Sequence, residues 1–256
     1  MPAEIELFPC LSDNYGVLLH DPATGATASV DAPDGEAVLE ALKRRGWSLT
    51  DILVTHHHAD HVQGIEAVKE AFPRARVVGP KAEGDRIPLI EARVGEGDAV
   101  AVGSLVGRAI DTPGHTAGHV AYHFPAQHLL FAGDTLFAMG CGRAFEAPAQ
   151  TLWASLVKLK ALEPDTRIYC GHEYTLSNAR FCMGVEPDNA ALKARLAEVE
   201  ALRARGAPTL PTTLDRELAT NSFLRADQAA VKQALGMADR TDADVFAELR
   251  ARKNRT

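Results

Sequence analysis

Cysteine is scarce in this chain and scattered. The four, Cys10, Cys141, Cys170 and Cys182, form no CxxC pair, which excludes a disulfide framework or a thiolate zinc site as the organising device and fits a reducing cytoplasm. Cations are also in deficit: 27 lysines and arginines against 34 acids leave a net charge of −7, which speaks against nucleic acid or anionic lipid as a partner. No apolar run approaches the length of a membrane span. The N-terminal MPAEIELFPC carries acids where a secretory leader would carry a basic segment and an apolar core, so no signal peptide is read. Low-complexity tracts are absent too. What remains is an ordinary globular composition, 46% hydrophobic and 24% charged over 256 residues, enough for one large domain or one domain with a small companion.

Short apolar runs separated by turns predict strands near residues 4–8, 16–20, 28–31, 52–54, 76–79, 105–111, 120–124, 128–132 and 167–170. Helical spacing predicts helices over 36–45, 62–72 and 150–162, the second from Val62, Ile65, Val68 and Phe72 ahead of Pro73. This mixture indicates a layered α/β (α+β) domain. Beyond Tyr174 the composition shifts to Ala, Leu, Arg and Glu, as in DNAALKARLAEVEALRARG at 188–206. There Asp188 is a candidate cap and Gly206 with Pro208 a stop. Helices are also expected over 227–235 and 242–250. The shift divides the chain into residues 1–172 and a helical appendage, 173–256.

Thr55-His56-His57-His58-Ala59-Asp60-His61 follows the apolar run Ile52-Leu53-Val54 and holds four imidazoles and a carboxylate. A lone histidine is usually a surface or hydrogen-bonded residue, but such a cluster is costly to bury without a cation. In extended chain, side chains two apart share a face, so His56 and His58 can grip one ion, while Asp60 and His61, at the turn, are placed for a second. His57 should point away. Three other apolar runs end similarly, at His115, Asp134 and His172, and strand-end loops are where a rigid scaffold presents function. His20, His119, His123 and His128 are read as structural, and Cys141 and Cys170 as small buried side chains. Imidazole and carboxylate donors without thiolate suit zinc, iron or manganese. Two such ions would supply a hydroxide nucleophile, so the implied chemistry is hydrolysis.

THHHADH, TPGHT at 112–116, GDT at 133–135 and GHE at 171–173 resemble the metallo-β-lactamase superfamily. The resemblance implies a four-layered αβ/βα sandwich with a small C-terminal helical domain. It would give one ion His56, His58 and His115, the other Asp60, His61 and His172, with Asp134 bridging. LSDNYGVLL at 11–19, GCGRAFE at 140–146, GHEYTLSNARF at 171–181, LATNSFLR at 218–225 and LRARKN at 249–254 are similar to glyoxalase II, the hydroxyacylglutathione hydrolases. That resemblance spans essentially the whole chain. It implies two divalent ions, zinc first with iron or manganese as alternatives, and a glutathione thioester as the small-molecule substrate. Arg143, Arg250 and Lys253 would meet the glycine carboxylate of glutathione, and Tyr174 and Asn178 its peptide. Arg143 and Phe145 stand where many members carry Lys and Tyr, changing donor geometry at one position and removing a hydroxyl at the other.

The implied reaction is hydrolysis of S-D-lactoylglutathione and related 2-hydroxyacyl thioesters by a metal-bridging hydroxide, the second step of methylglyoxal detoxification. Asp60 and Asp134 would be the catalytic carboxylates, in a cytoplasmic monomer. A single-iron glutathione persulfide dioxygenase, another hydrolase acting on lactones or β-lactams, and a metal-binding protein without turnover are the alternatives. The first two lack a use for a tail carrying Arg250 and Lys253, and the last for so complete a donor set.

Overall fold

The computed structural model describes residues 2–256, which form two compact units. The first comprises residues up to Asp111 together with Ala117–Gly133. Its larger sheet runs in order through β1 (Glu4–Cys10), β2 (Asn14–Asp21), β3 (Ala26–Val30), β4 (Asp51–Leu53), β5 (Arg76–Pro80) and β6 (Ala92–Val94). The β1–β3 pairs are antiparallel and those from β3 to β6 parallel. Parallel strands need crossovers, supplied by α1 (Gly35–Arg45) and by α2 (Ala59–Val62) with α3 (Ile65–Ala71). A meander of β7 (Ala99–Val102), β8 (Leu105–Asp111), β9 (Val120–Phe124) and β10 (Leu129–Gly133) completes this unit. β7 alternates exposed and buried residues, whereas every residue of β2, β9 and β10 is buried, as expected of strands covered on both faces. The core gathers Leu18, Val38, Leu42, Ile52, Val54, Ile65, Val68 and Val77. The Tyr122 hydroxyl on β9 donates to the Val54 carbonyl just beyond β4, at 2.6 Å.

The single helix expected over 62–72 is two, broken at Gly64. Its amide donates to the Ala32 carbonyl at 2.9 Å, and a Cβ there would collide with the Ala32–Gly35 backbone. α1 runs as its ends dictate: Asp34 accepts from the Ala37 amide, and Gly46 closes the helix at φ 67°.

The second unit holds Thr112–Thr116 and the chain from Asp134 onward. It contains the hairpin β11 (Leu136–Phe137) and β12 (Gly140–Cys141), then α4 (Ala149–Lys160), β13 (Arg167–Cys170), α5 (Thr175–Val185) and α6 (Ala190–Ala204). β14 (Thr212–Thr213), antiparallel to β13, leads to α7 (Leu214–Thr220), α8 (Ala229–Ala234) and α9 (Asp242–Lys253). α4 packs on α9, and α6 on both α5 and α7. The rings of Trp153, Phe246, Phe223 and Phe181 meet in succession, tilted, edge to face and stacked in turn, with centroids 5.4–6.2 Å apart. Asn189, not Asp188, caps α6, accepting from the Leu192 amide at 3.1 Å. α8 starts two residues after Asp227, whose carboxylate instead holds Lys160 at 2.6 Å. Among the described residues no helix is long and apolar enough to cross a membrane.

His123 on β9 is buried, and no hydrogen bond reaches either ring nitrogen among the described residues. Burial, aided by the charges of Arg108 and His128, pushes its pKa down to about 4. The folded value thus lies below the unfolded one of about 6.5. The neutral ring's contribution is full above that pH and is lost as pH falls towards 4. Replacing His123 with Leu should flatten the fall in melting temperature between pH 6.5 and 4, read by circular dichroism; parallel curves would refute this.

Candidate metal centre

Beyond β4 the first unit delivers His56 and His58 in extended chain, then Asp60 and His61 in the single turn of α2. His56 and His61 are almost wholly buried, and their orientation starts from Asp31. This residue, at φ 57°, accepts from the Thr55 amide at 2.7 Å, the Thr55 hydroxyl at 2.9 Å and His61 Nδ1 at 2.8 Å. With its hydrogen given to Asp31, the Thr55 oxygen accepts from His56 Nδ1, 3.1 Å away. In both rings Nδ1 therefore carries the hydrogen, and Nε2 keeps the lone pair that a metal needs. His56 Nε2 lies 3.1 Å from His58 Nδ1; two donors on one tetrahedral zinc stand about 3.3 Å apart. Asp60 Oδ2 accepts from Asn14 Nδ2 at 3.1 Å and lies 3.9 Å from His61 Nε2. His57 does turn away: Glu83 accepts from its amide at 2.9 Å and meets its Nδ1 at 2.7 Å. His119 is buried with its ring 4.9 Å from that of His56.

The second unit brings together His115, Asp134 and His172, each about 5% exposed. His115 Nδ1 donates to the Arg143 carbonyl at 3.0 Å. A carbonyl only accepts, so here too Nε2 is the bare nitrogen. Asp134 Oδ2 lies 3.4 Å from His115 Nε2 and 3.4 Å from His172 Nε2. The ring of His172 stacks on Tyr174 at 4.8 Å. Glu173 secures the chain behind it, accepting from the Thr209 amide at 3.0 Å and hydroxyl at 2.9 Å. Inward-facing nitrogens and a shared carboxylate oxygen, with no thiolate, fit divalent transition metals. Burial pushes the Cys141 thiol up to about 11 and that of Cys170 up to about 12, which keeps both protonated, as neither nucleophile nor ligand should be. Asp31 and Glu83 went unmarked in the sequence, and Thr55 and Asn14 lay in its motifs without a role. The only signal for Asp31 is its place at the end of an apolar run.

The residues expected at the substrate differ in surroundings. Burial, then the like charges of Arg250 and Arg143, lower the Lys253 pKa, so the three cations feel one another's charge. Lys253 donates to Ser177 Oγ at 2.8 Å. Arg250 is buried, its guanidinium 5.1 Å from the Phe223 ring centroid and its Nη1 donating to the Cys141 carbonyl at 2.9 Å. Asn178 is buried as well and donates to the Ala138 carbonyl at 3.3 Å. Tyr174 is 36% exposed and Phe145 61%, the latter ring 5.3 Å from His115.

Residues 12–172 match the model of the metallo-β-lactamase superfamily, and residues 173–256 that of the hydroxyacylglutathione hydrolase C-terminus. A hydroxyacylglutathione hydrolase of Rhodopseudomonas palustris (strain BisA53) is 55% identical over 256 residues, all of both chains. One of Nitrobacter hamburgensis is 54% identical over the same length, again all of both chains. Among solved structures, ETHE1 from Myxococcus xanthus matches with a TM-score of 0.70 at 25% identity, over 99% of this chain and 92% of its own. The BLEG-1 B3 metallo-β-lactamase, at 21% identity and a TM-score of 0.66 over 86% of this chain and 99% of its own, is alike in fold. Carrying that fold and matched end to end by such relatives, the chain belongs to the hydroxyacylglutathione hydrolase family of the metallo-β-lactamase superfamily.

Proposed function

We propose that the chain hydrolyses glutathione thioesters of 2-hydroxy acids, chiefly S-D-lactoylglutathione, to glutathione and the free acid, as the second step of methylglyoxal detoxification. The observation that carries this is Asp134 Oδ2, equally distant from the Nε2 atoms of His115 and His172, the former left bare by the Arg143 carbonyl. The names of the full-length relatives point to the thioester substrate and do not favour the single-iron oxygenase. Following the family pattern, His56, His58 and His115 hold one divalent ion, Asp60, His61 and His172 the second, and Asp134 is shared. Zinc suits this set, with iron or manganese as alternatives. When bound, the ions supply a hydroxide nucleophile at neutral pH and polarise the thioester carbonyl.

The chain's own residues do the rest. Asp31, Thr55 and the Arg143 carbonyl keep the ligand nitrogens bare. Asp60 Oδ2, steadied by Asn14, is the proton acceptor for the attacking group. The departing thiolate is a weak enough base to leave without a strong acid. Residues 1–172 carry the chemistry and 173–256 read the glutathione. Arg143, Arg250 and Lys253 attract its glycine carboxylate, whose charge relieves their mutual repulsion, while Tyr174 and Asn178 face its peptide. The protein works as a cytoplasmic monomer with neither nucleic acid nor membrane as partner.

Asp134→Ala should lower turnover of S-D-lactoylglutathione more than about 100-fold, beyond the range of residues that only orient ligands, and reduce bound metal measured by mass spectrometry. Unchanged turnover would remove the shared-carboxylate role. Dialysis against a chelator should abolish thioesterase activity, and added zinc should restore it; activity that persists without metal would overturn the mechanism. Lys253→Ala should raise KM about tenfold, the equivalent of roughly 1.4 kcal/mol, with kcat nearly unchanged in steady-state assays. An unaltered KM would remove Lys253 from substrate capture.

A further inference from the structure

The β11–β12 hairpin lies between Asp134 and Arg143 and pairs only Leu136 with Cys141 and Phe137 with Gly140. Two pairs are too few to hold a hairpin, and its turn places Met139 at φ 58°, which disfavours any residue with a side chain. Side chains from the helical part of the chain hold it instead. Asn221 Nδ2 donates to the Gly140 carbonyl at 3.0 Å and the Phe137 carbonyl at 3.4 Å. Asn178 on α5 donates to the Ala138 carbonyl at 3.3 Å, and the Cys182 thiol to the Met139 carbonyl at 3.3 Å. Arg250 on α9 donates to the Cys141 carbonyl at 2.9 Å and the Gly142 carbonyl at 3.4 Å. Every carbonyl from Phe137 to Gly142 thus accepts from a side chain. The Met139 amide is taken by Glu217 on α7 at 2.7 Å, and Glu217 in turn accepts from Asn221 at 3.0 Å and Thr212 at 2.7 Å. Glu217 and Asn221 are wholly buried.

Both ends of the hairpin belong to the candidate metal centre. The Gly142 amide donates to the Thr135 carbonyl at 3.2 Å, and a Cβ on Gly142 would overlap the Asp134 carbonyl oxygen. The next residue, Arg143, offers the carbonyl that fixes His115. Any shift of the hairpin would therefore move the backbone of Asp134 and withdraw the acceptor of His115 Nδ1. A fully satisfied buried polar network is the kind that rigidifies.

We infer that Glu217 and Asn221 are positioning residues of the metal centre, acting through the hairpin on Asp134 and His115. The helical part of the chain then shapes the metal site as well as receiving substrate, and Arg250 has a second task there. The inference rests on the reading of Asp134 and His115 as ligands.

The test is zinc affinity, measured by competition with a chromophoric chelator for wild type, Asn221→Ala and the near-isosteric Glu217→Gln. It is done where circular dichroism shows the variants folded. Folded Asn221→Ala should bind zinc 10–100-fold more weakly, in the range of ligand-orienting residues, and lose more in kcat than in KM. A loss of thermal stability alone, with zinc affinity within twofold of wild type, would overturn the inference. Glu217→Gln carries the same comparison if Asn221→Ala does not fold. A further measurement needs no substitution. Coupling is reciprocal, so zinc should slow hydrogen exchange at the amides of 139–142 in the unaltered protein; equal exchange with and without zinc overturns the proposal. Wild type that binds no zinc would instead overturn the metal reading itself, and this inference with it.

Discussion

A histidine can hold a cation only through a nitrogen that bears no hydrogen, so each candidate ligand needs an acceptor behind it to take the hydrogen of the other nitrogen. Asp31 serves His61 directly and His56 through the Thr55 hydroxyl, and the Arg143 carbonyl serves His115. Much of the surrounding architecture follows from supplying those acceptors. Asp31 adopts a left-handed backbone at the end of β3, its amide bonded to the Leu53 carbonyl at the end of β4. The segment carrying Arg143 must likewise be fixed relative to Asp134, although it has almost no regular structure of its own.

The magnitude of unmet polarity shows why the helices take part. A buried carbonyl left without a donor costs about 1–3 kcal/mol, and several in one short segment would rival the net stability of many domains. The Phe137–Gly142 run is therefore formed only with its side-chain donors in place, and buried Asn178, Asn221 and Arg250 supply most of them. Glu217 is buried for the same reason. Its carboxyl is raised by desolvation and drawn back by the donors of Thr212, Met139 and Asn221.

Strands with strong apolar runs were legible to within a residue or two, and β8, β9 and β13 coincide with their expected spans. The seven candidate donors stood out because four such runs end in them, the first opening the cluster from His56 to His61. Less legible were α5 and α7, because helical periodicity is usually sought in large apolar residues. α5 buries Thr175, Asn178, Ala179, Cys182 and Val185, a regular stripe of small and polar side chains, and α7 buries Leu214, Glu217 and Thr220. Their partners are backbone carbonyls distant in sequence, which no local pattern announces. The break at Gly64 was hidden for a similar reason: it depends on Ala32–Gly35 lying against it. Asp188 and Asn189 have equal claims as caps by residue type, and only the backbone geometry chooses between them. Asp31 is one acid among 34 Asp and Glu residues, and its place beside His61 exists only once the fold has formed.

The cationic cluster of Arg143, Arg250 and Lys253 has one more consequence. On the proposed reading it grips a carboxylate that the reaction leaves untouched, present alike in the thioester, in the transition state and in the released glutathione. Attraction that is equal at every stage lowers no barrier. It raises the fraction of time that substrate is bound when substrate is scarce, and it holds back the departing product with the same strength. The cluster thus sets a ceiling on useful affinity: each further gain in capture would lengthen the stay of a glutathione molecule that has already reacted.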